Sequence, residues 1–327
     1  MKRVISLTLV LLMLVCMICS CDFLPEEIKL CNVNFYVDGE LYTTKSVIIG
    51  QTVSMPKAPQ KENEIFVGWF VDGVFSYEYD FSSLVIADTN LYAMFTLDAI
   101  ALTNMITTKT MQSVVKVINK SYNTAMGGLI ETDSMTSQGS GVVIDISGGY
   151  AFVLTNYHVV EMTQGYSHQR IIVEDPWGNE FEAKVYKNKY TSLVAMDKGY
   201  DLAVIYFKYE QSDKMSLDEI VMADDPKIGD YVVSLGSPNA QKNSITYGQV
   251  LSYQQLDQLE DGSSANVTFD IIFHSALIDH GSSGGPLLNS SGELVGLNFA
   301  GFESNHYGCA IPLSKINEFM NTYVYVD

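Results

Sequence analysis

The chain has 327 residues, with 38 acidic side chains against 19 Lys and Arg and a formal net charge of −19. Such a surface repels phosphate backbones and anionic headgroups, which excludes nucleic acid as a partner. An apolar fraction of 47% with 17% charged residues describes a globular chain, long enough for two or three well-buried cores.

Lys2 and Arg3 precede a nearly unbroken apolar run from Val4 to Ile18, the layout of an export signal. The run closes on Ile18-Cys19-Ser20-Cys21. That ending resembles a bacterial lipobox, which implies removal of residues 1–20, acylation of Cys21 and a lipid-anchored, extracytoplasmic protein. The rival is an uncleaved spanning helix, but the run is short for the roughly 20 residues that a span needs. Cys16 and Cys19 would leave with the signal and Cys21 would carry lipid. Cys31 and Cys309 then form no disulfide framework, and no metal-ligand spacing is present.

Residues 21–30 read as a tether, with Pro25 beside Glu26 and Glu27. From 31 to 98, short alternating runs such as Val33-Asn34-Phe35-Tyr36-Val37 are separated by turn signals at Asp38-Gly39, Gly50 and Asp72-Gly73. This segment reads as a small strand-rich domain. Its landmarks, among them Gly50-Gln51-Thr52-Val53, Phe66-Val67-Gly68-Trp69-Phe70 and Leu91-Tyr92-Ala93, resemble the Listeria–Bacteroides repeat domain of bacterial surface proteins. The resemblance implies a β-grasp-like spacer or adhesion unit, with Trp69 in its core. Residues 99–110 read as a linker or short helix. From 111 to 327 the pattern is serial strands, including Ser140 to Ile146, Tyr150 to Thr155, Ile171 to Glu174, Asp201 to Phe207 and Leu294 to Phe299. A helical pattern follows only at Leu313 to Met320. Many short strands with turn punctuation predict a barrel or sandwich.

Three segments carry the chemistry: Thr155-Asn156-Tyr157-His158, Tyr200-Asp201-Leu202-Ala203-Val204 and Gly281-Ser282-Ser283-Gly284-Gly285-Pro286. A serine hydroxyl is a poor nucleophile until an adjacent base accepts its proton. Neutral histidine suits that task near pH 7, and a carboxylate fixes its tautomer and offsets the charge it gains. His158, Asp201 and Ser283 supply these three roles if the fold brings them together. Of the other histidines, His168, His274 and His306 have no metal-ligand spacing and read as surface or structural. No cofactor and no metal are expected.

The segment from Met111 onward resembles the protease domain of HtrA/Deg-type, trypsin-like peptidases. Further landmarks carry the resemblance, among them Gln138-Gly139-Ser140-Gly141, Ile228-Gly229-Asp230-Tyr231-Val232-Val233 and Gly308-Cys309-Ala310-Ile311-Pro312. It implies a mostly β, chymotrypsin-like double β-barrel with its site between the barrels. His158 would be the base, Asp201 the orienter and Ser283 the nucleophile. The backbone N–H groups of Gly281 and Ser283 would form the oxyanion hole. Leu277 and Ile278 would line the pocket for the residue before the scissile bond, favouring small or medium aliphatic side chains. Asn298, Phe299 and Ala300 would pair with the substrate main chain. Partners would be protein or peptide substrates, with the membrane reached through lipid and a homo-oligomer allowed. The chain departs from the family in two ways: only 15 residues follow Pro312, so no PDZ module is expected, and Asp279-His280 stand before Gly281.

Two rivals remain. Gly281-x-Ser283-x-Gly285 fits the nucleophile elbow of α/β-hydrolases, but that fold needs a helix after the serine and an Asp and His later in the chain. Here Pro286-Leu287-Leu288 continues as strand. The other rival is a surface-binding lipoprotein that keeps the protease fold as an inactive scaffold.

Overall fold

The computed structural model describes residues 29–211, 216–236, 244–259, 266–278, 281–302 and 307–325. Cys21 and the Asp279–His280 pair lie outside the described residues. Two compact units emerge, one holding the chain up to Lys61 with Ile65–Thr96, the other holding Glu62–Glu64 with the chain from Leu97.

In the first unit, strands β1 (Leu30–Val37), β2 (Glu40–Ile48), β3 (Glu64–Phe70) and β4 (Thr89–Leu97) form one sheet in the order β2-β1-β4-β3. The two-residue period of β1 buries Cys31, Val33 and Phe35 on one face and leaves Asn32, Asn34 and Tyr36 on the other. Phe35 meets the fully buried Trp69 edge-on, with ring centroids 4.8 Å apart. Trp69 is therefore core, as its place among apolar residues predicts.

The second unit opens with helix α1 (Ala99–Thr108), which buries Leu102 and Ile106 in the unit's largest apolar cluster. Of the two readings of this segment, linker or short helix, the helix is the one present, and it packs because those two side chains, four apart, share one helical face. Seven strands follow: β5 (Val114–Ala125), β6 (Ile130–Ser147), β7 (Tyr150–Thr155), β8 (His168–Glu174), β9 (Glu180–Val185), β10 (Met196–Asp197) and β11 (Leu202–Lys208). The pairing β11–β9 closes six of them into a barrel, with β10 at the edge of β11. Val117, Val143, Val153, Val173, Ala183 and Ile205 contribute one buried residue from each of the six to a shared core. Helix α2 (Tyr157–Val160) is a single turn after β7.

The second barrel is closed by β12 (Tyr231–Gly236), β13 (Ser244–Gln254), β14 (Ile271–His274), β17 (Tyr307–Pro312), β16 (Leu294–Phe302) and β15 (Pro286–Leu288), in that spatial order. Val232, Val250, Ile272, Leu287, Val295 and Ala310, one from each strand, form one core. The largest cluster joins both barrels, running from Val142, Leu154 and Leu202 to Leu235, Phe273 and Leu297. Helix α3 (Leu313–Tyr323) adds Ile316, Phe319 and Met320 to it. The chain is mostly β, with two six-stranded barrels and an N-terminal β domain. Continuous apolar packing fixes one barrel against the other, and this holds the residues at their junction in place.

Candidate active site

β7 ends at Thr155, and the next turn, α2, capped by Asn156, carries His158 to the junction. Asp201, at the start of β11, wraps around that turn. Its carbonyl accepts from Tyr157 N at 3.1 Å and from Asn156 Nδ2 at 3.0 Å. Its carboxylate accepts from the His158 backbone N at 3.1 Å and faces the imidazole, with Oδ2 2.8 Å and Oδ1 3.1 Å from Nδ1. Asp201 has φ +51°, a left-handed conformation that Asp tolerates better than most residues. The carboxylate is buried, whereas 44% of the His158 side-chain surface stays accessible. Desolvation of the ring opposes its protonation, but Asp201's charge and hydrogen bond outweigh it, with help from Glu161, and raise the imidazole pKa. With Nδ1 held by the carboxylate, Nε2 is the atom left to exchange protons.

Ser283 lies between β14 and β15 in a loop that the first barrel grips. Ser140 on β6 donates its N–H to the Ser283 carbonyl at 2.7 Å and its Oγ to the Gly281 carbonyl at 2.8 Å. Thr155 Oγ1 in turn donates to Ser140 O at 2.7 Å. From the other side, Gly284 N donates to Asn298 O at 2.8 Å and Asn298 N to Gly285 O at 2.9 Å. Gly284 has φ +83°, and a Cβ there would stand 2.0 Å from Ser140 O, so only glycine fits. Gly281 is likewise left-handed at φ +97°. Among the described residues, neither the Gly281 N–H nor the Ser283 N–H donates to any group.

Val159, the neighbour of His158, and the carbonyl of Ser283 both border Gly139. A Cβ on Gly139 would lie 2.7 Å from Val159, next to His158, and 2.9 Å from Ser283 O. The serine hydroxyl, however, donates to the Phe299 carbonyl at 3.2 Å, and no hydrogen bond joins it to the His158 ring. In active sites, catalytic hydrogen bonds are often long or poorly aligned until substrate binds.

The remaining expected residues sort by environment. Leu277 is 54% exposed, and its carbonyl accepts from Thr246 Oγ1 at 2.6 Å. Ile278 packs on Gly301, where a Cβ would meet its Cγ1 at 2.9 Å. Asn298 differs from the substrate-pairing role expected of it. Its main chain is engaged by Gly284 and Gly285, and its amide donates to Ser234 Oγ at 2.9 Å and Pro286 O at 3.1 Å. It braces the loop, while Phe299 is buried with its carbonyl accepting from Ser283 Oγ. Ser140 and Thr155 were not singled out in the sequence. The signal was a second glycine-flanked serine, Gly139-Ser140-Gly141, of the same type as the Ser283 run.

A carboxylate-held imidazole and a serine loop gripped by the first barrel are thus both part of the unit built from two six-stranded barrels. Residues 139–297 match the model of the trypsin-like peptidase domain. This chain carries a trypsin-like peptidase domain. Residues 32–94 match the Listeria-Bacteroides repeat domain, so the peptidase domain follows a repeat domain in the same chain. The chain is similar to serine protease HTRA4 of Mus musculus, 32% identical over 188 residues, covering 58% of this chain and 35% of that protein. It is also similar to the serine endoprotease DegS of Salmonella typhimurium, 30% identical over 219 residues, covering 65% of this chain and 54% of that protein. A probable periplasmic serine protease do/HhoA-like of Haemophilus influenzae is 36% identical over 165 residues, covering 50% of this chain and 30% of that protein. The chain spans about a third of the length of the first curated relatives it matches.

Proposed function

We propose that this chain is a serine endopeptidase that works outside the cytoplasm, with His158 as base, Asp201 as orienter and Ser283 as nucleophile. The observation that carries it is the His158–Asp201 pair set across Gly139 from a serine loop with two free N–H donors. In this reading the Ser283 hydroxyl turns from Phe299 to His158 Nε2, which takes its proton as Oγ attacks the substrate carbonyl. The resulting oxyanion accepts from the N–H groups of Gly281 and Ser283, and losing one such donor costs about 10²–10³ in rate. Imidazolium then protonates the leaving amine as the C–N bond breaks, giving an acyl-enzyme and the first product. Water, deprotonated by His158, attacks the ester, and the proton returns to Ser283 as the acid product leaves.

Substrate binding in this reading is strand addition along Phe299 and Ala300, which gives affinity with little sequence choice. Leu277 and Ile278 favour a small or medium aliphatic side chain before the scissile bond. Acylation of Cys21 would tether the protein to a membrane, and the repeat domain would serve as spacer or partner-recruiting unit. Among the described residues, no helix is long and apolar enough to cross a membrane.

The hydrogen bond from Ser283 Oγ to Phe299 O favours a second reading, an inactive surface-binding scaffold. Labelling by a fluorophosphonate probe separates the two. Serine-dependent labelling that disappears in Ser283→Ala supports the peptidase, and its absence across pH 6 to 9 supports the scaffold.

A further inference from the structure

His274 is the most deeply buried histidine among the described residues, and the chemistry above does not use it. Its side chain is fully buried in the second barrel. On β14 it stands opposite Val250 of β13 and Gly308 of β17. Two residues along the same strand, Ile272 belongs to the aliphatic core of that barrel. Alternation therefore sends His274 to the same side as Ile272. Ser234 on β12 and Asn298 on β16 follow the same rule: Ser234 lies two residues from Val232, and Asn298 pairs with Ala310. The barrel core is thus aliphatic along most of its length and ends in three neutral polar side chains, Ser234, His274 and Asn298.

That polar end is capped by the nucleophile loop. A Cβ on Gly236 would stand 2.8 Å from Ser282 Cα, and one on Gly285 would stand 2.2 Å from Leu235 O. Asn298 is the link. Its main chain holds Gly284 and Gly285, its Nδ2 holds Ser234 and Pro286, and the carbonyl of the next residue, Phe299, receives the Ser283 hydroxyl. One group of Asn298 is left over. Its Oδ1 is buried without a hydrogen-bond partner, and so are both ring nitrogens of His274. The His274 ring lies against Gly308, where a Cβ would meet its Cε1 at 2.4 Å, and interacts with the Asn298 side chain and the Ala276 main chain. A buried neutral imidazole carries one N–H donor, and Asn298 Oδ1 is the unmatched acceptor beside it. Leaving both unpaired is costly, so a small shift that pairs them is favoured.

We propose that His274 is a positioning residue for the nucleophile: its ring N–H pairs with Asn298 Oδ1 in the working state and fixes the amide that braces Gly284 and Gly285. A fixed Asn298 amide keeps its main-chain bonds to Gly284 and Gly285 in register and so presents Ser283 to His158. This rests on the peptidase reading above, and it assigns His274 no contact with substrate.

The test compares wild type, His274→Phe and His274→Gln. Phe fills the ring's volume with no donor, and Gln restores an N–H near the same place. The expected result for His274→Phe is a fall of about tenfold in kcat and in the second-order rate of fluorophosphonate labelling, the size of one lost buried hydrogen bond. KM should stay within about twofold of wild type, and His274→Gln should recover most of the loss. Equal rates for wild type and His274→Phe overturn the inference and leave the peptidase reading intact. A loss in His274→Phe that His274→Gln shares in full marks a packing role and also overturns it. A wild-type chain that never labels overturns both readings. If His274→Phe does not fold, ring ¹⁵N shifts of His274 in the wild-type protein decide. They should change when Ser283 carries the phosphonyl adduct, and unchanged shifts overturn the proposal.

Discussion

Ser140 holds Ser283 from the opposite barrel, with its N–H on the Ser283 carbonyl at 2.7 Å and its Oγ on the Gly281 carbonyl at 2.8 Å. The second bond matters more for chemistry. Fixing the carbonyl of Gly281 fixes the plane of the Gly281–Ser282 peptide and so orients the loop between the two free N–H donors. Ser140→Ala keeps the backbone bond and removes only the hydroxyl. One buried hydrogen bond of this kind contributes about 0.5–1.5 kcal/mol, so kcat should fall about threefold to tenfold. Peptide-hydrolysis kinetics on the purified variant would check this. A kcat equal to wild type would show that the loop keeps its shape without the hydroxyl.

The Asp201–His158 pair gives a prediction with a defined sign. Activity needs neutral His158, so it should rise with pH through a pKa lying above the ordinary 6.5 of histidine. Asp201→Asn removes the charge that raises this pKa but leaves the desolvation that lowers it, so the midpoint should move down. At the same time the amide stabilises the wrong tautomer and the imidazolium loses its partner, which costs about 10⁴ in kcat where such a carboxylate is replaced by its amide. The pH dependence of kcat/KM for both proteins tests the pair. A midpoint that moves up in Asp201→Asn would contradict the assignment of Asp201 as the orienting carboxylate.

How much of this was legible beforehand depended on where the information lay. Tyr150–Thr155 could be read directly, because its apolar residues are contiguous and Ala151, Val153 and Leu154 are buried. Glu180–Val185 could not, since only Ala183 of its six residues is buried and the rest read as loop. The ribbon of β5 and β6 runs well past the segments read as strand, because Asn119–Ala125 and Ile130–Ser137 pair with mostly polar side chains, which carry no apolar alternation to read. His158, Asp201 and Ser283 were legible as residue types in fixed short motifs. His274 was not, because the polar neighbours that give it meaning, Ser234 and Asn298, come from distant strands and meet it only when the barrel closes.

The loop that presents Asp201 is tied to the C-terminal helix α3 by two phenols. Tyr200 donates to Glu318 Oε1 at 2.6 Å, and this bond, with burial, pushes its pKa up to about 12. Tyr323 donates to Asp197 Oδ2, which likewise pushes its pKa up to about 12, and Asp197 Oδ1 accepts from Gly199 N at 2.7 Å. The double variant Tyr200→Phe with Tyr323→Phe should therefore loosen Asp201 without touching it. The expected loss is about tenfold in kcat/KM, with the His158 midpoint shifted slightly down as its carboxylate becomes less well placed. An unchanged pH profile and rate would mean that Asp201 is held by its own bonds to Tyr157, Asn156, His158 and Lys198 without help from the phenols.

His274 should also make the fold acid-sensitive. Burial pushes its pKa down to about 4, against 6.5 in the unfolded chain. Between those values the unfolded state binds the proton and the folded state does not, so stability falls as pH drops from about 6.5 towards 4. The full difference corresponds to about 3 kcal/mol. His158 works in the opposite sense: its raised pKa adds stability that is complete below 6.5 and is lost as pH rises through the folded value. Carboxylates add their own slopes, so the useful quantity is the difference between wild type and His274→Gln. Urea unfolding at pH 7 and at pH 4.5 should show the variant losing less stability than wild type over that interval. If both proteins lose the same amount, His274 binds its proton as readily in the folded barrel as in the unfolded chain, and the polar end of the barrel must then be open to water.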